Sequence, residues 1–370
     1  MSQNRLVAVS NRLADPDKPA AGGLAVALEA ALRDRDGVWI GASGSAAPDP
    51  AGDPPTHRTK TDHGEFVALD FDATDYEAYY AGYANGVLWP AFHHRFDLVR
   101  YDSSLESAYR RINTQFAQAV FAELQPGDDV WIHDYHLIPL ASALRALGCE
   151  NRIGFFLHTP MPPVATLTAI PRHEWLMRSF LSYDLIGFQS QEDLKNFQEY
   201  VSVQLHGSVE GDTVRAFGST SIARAFPIGI DVDAFRAIAH SASAQQTYED
   251  ICLEYSRRKL LIGVDRLDYS KGLPQRIKAF RECLQAYPET RRSATLIQVA
   301  SPSRENVEAY GEIQRELEGL CGAINGDFGE LDWMPVRYLH RTLAQEELAG
   351  LYRAAKVALV TPLRDGMNLV

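Results

Sequence analysis

A chain of 370 residues, 46% hydrophobic and 23% charged, has the composition of a soluble globular protein and is longer than one ordinary core holds, so two domains are expected. Its net charge of −12 argues against a nucleic-acid partner, which needs a basic footprint, but leaves room for a small anion held by a local cluster of cations. No apolar run approaches the roughly 20 residues that span a bilayer, so no membrane partner is expected. The four cysteines, Cys149, Cys252, Cys283 and Cys321, form no metal or redox spacing and read as free thiols of a cytoplasmic protein.

In chain order, Leu6 to Ser10 is a short apolar run that reads as a first strand rather than a signal peptide. Asn11 to Gly23 is a loop with a Gly22-Gly23 pair, and Leu24–Arg33 is a helix, so this joint is a candidate phosphate cradle. It lacks the G-x-G-x-x-G fingerprint of a nicotinamide or flavin site. Val38–Ile40 is a short strand, and 46–63, rich in Pro, Asp and Gly, is expected to be an exposed, mobile excursion. Asp75 to Asp97 packs Tyr76, Tyr79, Tyr80, Tyr83, Trp89, Phe92, His93, His94 and Phe96 together, and is expected to be an irregular segment lining a cleft.

From residue 104 the pattern becomes regular. Helix 105–124, strand 129–132, helix 137–147, strand 153–157, helix 172–182, strand 185–188 and helix 191–203 alternate, followed by a hairpin-like stretch over 207–226. An Ala/Ser/Gln-rich piece at 237–247 suggests a boundary, giving domains 1–240 and 241–370. The second domain repeats the alternation with strands at 260–264, 294–300, 335–339 and 356–361, and helices at 274–286, 305–320 and 344–354. The fold class is α/β, with two doubly wound, Rossmann-like domains facing a central cleft. The chain stops where a helix should follow the last strand. It is therefore expected to be a fragment whose second domain is incomplete, and to have little or no activity alone.

Unusual polar residues recur at the carboxyl ends of these strands, where doubly wound folds bind ligands. His133-Asp134-Tyr135-His136 follows strand 129–132, His158 follows 153–157, Ser301 to Arg304 follows 294–300, and Arg364 to Asn368 follows 356–361. In Val264 to Leu273, Arg266 and Lys271 sit between a strand and a helix N-terminus, which suits a diphosphate. The same cations can instead pair with Asp265 and Asp268 in an ordinary solvated loop. His133, Asp134 and His136 could suggest a metal, and Asp15-Pro-Asp17 and Asp231-Val-Asp233 spell D-x-D, but no third ligand has a helpful spacing, so no metal is expected.

At these motifs the chain resembles the trehalose-6-phosphate synthase family, retaining glycosyltransferases of family 20 with the GT-B architecture. The resemblance rests on Ser10-Asn11-Arg12, Ala21 to Leu24, Tyr79-Tyr80, NGVLWPAFH from Asn85, WIHDYHL from Trp131, RIGFFLH from Arg152, RLDYSKG from Arg266 and TPLRDGMNLV from Thr361. It implies UDP-glucose as donor, glucose 6-phosphate as acceptor, and α,α-trehalose 6-phosphate and UDP as products, with no cofactor and no metal. The first domain would be acceptor-binding and the second donor-binding, in a homo-oligomer.

Carried over by position, the resemblance implies that Arg12, Tyr80, Trp89 and Arg304 surround the acceptor phosphate, and that Asp134 meets acceptor hydroxyls. It implies His158 and Asp365 at the donor glucose, Arg266 and Lys271 on the diphosphate, and the Gly22-Gly23 loop closing over it. The backbone of Asn368, Leu369 and Val370 would approach the diphosphate and ribose. Asp134, His158, Arg266 and Lys271 are the catalytic set.

Two departures stand out. Gly41-Ala42-Ser43-Gly44 replaces the family's Gly-Trp-x-Gly, which leaves another phosphorylated acceptor such as glycerol 3-phosphate open. The family's acidic ribose contact would lie beyond Val370. A non-catalytic sugar-phosphate sensor is a third reading.

Overall fold

Strands built from Val, Ile, Leu and Phe runs alternate with amphipathic helices, and they separate the chain into two units, Met1–Ile228 and Gly229–Val370. The structure, a computed structural model, describes residues 4–14, 28, 31–32, 35, 37–47, 54–61, 64–303 and 308–370.

In the first unit one sheet carries β1 (Leu6–Arg12), β2 (Val38–Ala46), β3 (Thr56–Thr61), β4 (Gly64–Phe71), β5 (Asp129–His133), β6 (Arg152–Leu157), β7 (Leu185–Phe188), β8 (Ser208–Glu210), β9 (Thr213–Ala216) and β10 (Ser219–Ala225). The order is β3-β4-β2-β1-β5-β6-β7-β10-β9-β8. From β4 to β10 all neighbours are parallel, and antiparallel strands close both edges. The central strands are buried on both faces: Val7, Ala8, Val9, Ile132, Leu157 and Ile186 are all 0% exposed. That is why they read as continuous apolar runs rather than alternating ones.

Helix Ser103–Glu123 starts on Asp102, whose carboxylate accepts the Ser104 N–H at 2.7 Å, and helix Gln191–Val203 starts on Ser190 in the same way. Helix 137–147 of the sequence reading is shorter than expected. A 3₁₀ turn, Tyr135–Leu137, precedes the helix Leu140–Ala146.

Two expectations are corrected here. The aromatic segment at 75–97 is helical, not irregular: Ala73–Glu77, a π-helix Ala78–Leu88 and Trp89–Phe92 run on from one another. Tyr79, Tyr83 and Phe92 are fully buried against helix Ser103–Glu123 and its neighbours, with Tyr83 and Tyr109 ring centroids 4.7 Å apart. The described part of the 46–63 excursion forms β3, paired antiparallel with β4, and that strand pair gave no clear sequence signal. The expected helix 24–33 lies mostly outside the described residues.

The second unit holds four parallel strands among the described residues: β11 (Lys259–Arg266), β12 (Ala294–Ser301), β13 (Val336–Leu339) and β14 (Val357–Ala358), in the order β13-β12-β11-β14. Helix Val232–Ala239, placed with the first domain by the sequence reading, packs within this unit. Phe235 meets Tyr352 with centroids 6.5 Å apart, and Arg353 donates to the Ala239 carbonyl at 2.7 Å. No helix among the described residues is long and apolar enough to cross a membrane.

Candidate active site

In the first unit the carboxyl ends of β1, β5 and β6 point the polar residues of the motifs one way. Arg12 is the last residue of β1. Its guanidinium lies over the Tyr80 ring, 5.1 Å from the centroid, and over Tyr76 at 5.9 Å, and its Nε reaches the Tyr76 hydroxyl at 3.4 Å. Tyr76 and Tyr80 stack at 5.9 Å, and Tyr80 stacks on His136 at 5.7 Å. His136 meets Tyr135 at 3.9 Å, and Tyr135 meets Trp89 at 5.5 Å. One aromatic ladder therefore joins the Arg12 cation to Trp89, although Trp89 itself is only 6% exposed. Tyr76 and Tyr79 both donate to the Asn11 side-chain oxygen, at 3.3 and 2.9 Å, and so fix the strand end that presents Arg12.

Asp134 follows β5 with φ 74° and ψ 167°. That region belongs almost entirely to glycine, and holding an aspartate there costs about 1–3 kcal/mol, a strain that concentrates at functional sites. Its N–H donates to the Phe156 carbonyl at 2.8 Å, and its carboxylate accepts the His158 N–H at 3.2 Å, which ties the ends of β5 and β6 together. His133 Nδ1 and His158 Nε2 lie 3.0 Å apart, within hydrogen-bond distance. Burial lowers the pKa of both: strongly for His133, where His158 adds to the effect, and for His158 against the opposing charge of Asp134.

In the second unit Arg266 ends β11 and is exposed. The chain then turns through Asp268, whose carboxylate accepts the Ser270 N–H at 2.9 Å and the Tyr310 hydroxyl at 2.8 Å. A 3₁₀ turn, Tyr269–Lys271, runs into Gly272 and helix Leu273–Ala286. Gly272 has φ +65°, and an added Cβ would lie 2.3 Å from the Thr361 carbonyl, so only glycine lets this loop close on the segment after β14. The Ser270 carbonyl accepts the Leu363 N–H at 2.8 Å. Lys271 forms an ion pair with Asp365, their side chains 10% and 13% exposed. Beneath them Arg276 donates to Asp265 at 2.7 Å, to Gln298 at 3.0 Å and to the Thr361 hydroxyl at 3.0 Å.

Of the alternatives for the cations of this loop, the structure pairs neither Arg266 nor Lys271 with Asp265 or Asp268 among the described residues. Asp265 belongs to Arg276, and Asp268 caps the turn. Asn368 accepts the Val370 N–H at 3.0 Å, which shapes the backbone through Leu369. Gly22, Gly23 and Arg304 lie outside the described residues. Sequence reasoning did not single out Asn11, His133 as the partner of His158, or the Arg276 network. Asn11 sat beside Arg12 in a noted motif, whereas a buried arginine on the first turn of an amphipathic helix left no signal. Among the described residues no three His, Cys, Asp or Glu side chains gather where they could hold a metal ion.

Two sheets of the doubly wound type in one chain, with polar residues gathered at their strand ends, are the GT-B architecture. The profile of glycosyltransferase family 20 matches residues 5–370, and the chain belongs to that family. It is 44% identical over 374 residues to the trehalose-6-phosphate synthase of Sinorhizobium fredii, covering 99% of this chain and 80% of that protein. The crystal structure of an α,α-trehalose-phosphate synthase (UDP-forming) from Burkholderia xenovorans in complex with glucose-6-phosphate superposes with a TM-score of 0.93 at 43% identity, over 99% of this chain and 81% of that one. The Escherichia coli structure bound with UDP-2-fluoro glucose gives a TM-score of 0.93 at 37% identity, over 99% and 80%.

Proposed function

We propose that the protein transfers glucose from UDP-glucose to glucose 6-phosphate with retention at the anomeric carbon, giving α,α-trehalose 6-phosphate and UDP. Family membership and similarity, over 99% of this chain, to synthases solved with glucose-6-phosphate and UDP-2-fluoro glucose support this. The observation that carries it is the placement of Arg266 and Lys271 at the end of β11, beside the N–H groups that open helix Leu273–Ala286. A leaving diphosphate gains negative charge, and two cations with a helix N-terminus neutralise it.

In this reading the first unit binds the acceptor. Arg12 takes the phosphate, backed by Tyr80 and the ladder that leads to Trp89; Arg304, outside the described residues, is also assigned to the acceptor phosphate in this reading. Asp134, preorganised by its strained backbone, orients and polarises the attacking hydroxyl without forming a covalent bond. His158 is a donor-glucose contact, kept neutral by burial so that it offers a hydrogen bond rather than a charge. The second unit binds the donor: Arg266 and Lys271 hold the diphosphate, Asp365 takes glucose hydroxyls, and the backbone of Asn368, Leu369 and Val370 approaches the diphosphate and ribose. Gly22 and Gly23, outside the described residues, belong to the donor set in this reading. No cofactor takes part. The four cysteines are free thiols, which suits a cytoplasmic enzyme.

Proton NMR of the product tests the stereochemical part. Two α-configured anomeric signals are expected, and a β-configured linkage would contradict retention.

A further inference from the structure

The carboxylate of Asp365 holds the ammonium of Lys271, and both side chains are mostly buried. Other acids nearby are occupied: Asp265 by Arg276 at 2.7 Å, and Asp268 by the Ser270 N–H and the Tyr310 hydroxyl. Lys271 and Asp365 are thus each other's charge partners among the described residues, whereas Arg266 is exposed and makes no ion pair there.

From this pairing we infer that Asp365 makes the donor site discriminate the intact nucleotide sugar from the free nucleoside diphosphate. The inference rests on the donor-site reading above. A diphosphate that draws Lys271 away leaves the Asp365 carboxylate uncompensated in a largely desolvated position, which is unfavourable. A nucleotide sugar offers hydroxyls that donate to the released carboxylate. UDP offers none, so UDP binds against the re-forming Lys271–Asp365 pair, with Arg266 as its main cation. After transfer removes the glucose from Asp365, the carboxylate recaptures Lys271 and weakens the hold on UDP. The same pair thereby favours donor entry and product release.

Calorimetric titration of the full-length protein with UDP and with UDP-glucose tests this, using Asp365→Asn and Asp365→Ser. Glu316→Gln, in an exposed pair with Lys278, controls for net charge. Wild-type protein and the control should bind UDP-glucose more tightly than UDP. Both Asp365 variants should bind UDP more tightly than wild type, on the order of tenfold, the worth of one charge-assisted hydrogen bond regained by Lys271. They should bind UDP-glucose no better than before, so that the preference collapses. Unchanged or weaker UDP binding in the folded Asp365 variants would overturn the inference while leaving the donor site in place. Wild-type protein that binds neither nucleotide would overturn the donor-site reading, and the inference with it.

Discussion

Arg276 donates to Asp265 at 2.7 Å with both side chains 1% exposed, and the same guanidinium reaches Thr361 in the segment after β14. One buried cation therefore fastens the strand that ends in Arg266 to the segment that carries Asp365. Burial pushes the Asp265 carboxyl up from its ordinary range, against the pull of Arg276. Removing Arg276 alone leaves that carboxylate buried and uncompensated.

Arg276→Met should lower stability by about 3–5 kcal/mol, the usual effect of breaking a buried ion pair. One oxygen of Asp265 and one nitrogen of Arg276 lack partners among the described residues, so the pair is incompletely satisfied. The double variant Asp265→Leu/Arg276→Leu should recover most of the loss. Urea unfolding of the three proteins checks both statements, and a double variant no better than Arg276→Met would contradict them.

Asp134 carries a prediction in which stability and activity move apart. Asp134→Gly relieves the φ 74° strain, so its unfolding midpoint should match or exceed that of Asp134→Ala, which keeps the strain and loses the carboxylate. Both should lose turnover by at least about 100-fold if the carboxylate orients the acceptor hydroxyl. Thermal melts and steady-state rates on the same preparations read the two effects separately.

The elements that carry the site were legible where one local rule dominated. Strand Asp129–His133 and helix Gln191–Val203 stood out because an apolar run and a capped amphipathic repeat are local signals. Asp134, His158, Arg266 and Asp365 could be singled out as candidates because doubly wound folds send their strand ends to one side. The π-helix at 78–88 was missed because its i→i+5 pairing breaks the helical spacing that a sequence reading counts. The ladder from Arg12 to Trp89 and the Arg276 network were invisible because their members meet only in the fold: Arg276 and Thr361 are 85 positions apart. The strain at Asp134 has no trace in composition at all.

The buried histidine pair sets an acid limit. Both His133 and His158 have folded pKa values lowered from 6.5. The unfolded chain then binds more protons than the folded one below that value. Their contribution is thus fully present above about pH 6.5 and is lost as pH falls through the lowered folded values. Urea midpoints measured from pH 7.5 downward should decline in wild type and less steeply in His133→Asn, which retains one side-chain nitrogen to meet His158. Parallel curves would contradict the assignment.

Gly272 should tolerate no side chain. Gly272→Ala meets the Thr361 carbonyl at 2.3 Å and keeps φ at +65°, so it should cost about 1–3 kcal/mol and weaken UDP-glucose binding, leaving glucose 6-phosphate affinity unchanged. Paired titrations with the two ligands test that separation.

Arg12 should act on the acceptor alone. Arg12→Ala removes a charged contact to phosphate and should raise the KM for glucose 6-phosphate about 10- to 100-fold, with the UDP-glucose KM little changed. A matching rise in both would contradict the placement of Arg12 at the acceptor.

The most direct measurement is UDP release by the full-length protein from UDP-glucose, with glucose 6-phosphate and glycerol 3-phosphate offered separately. Release with glucose 6-phosphate, abolished by Arg266→Ala, is the expected result. Release only with glycerol 3-phosphate, or with neither acceptor, would contradict the proposed synthase activity.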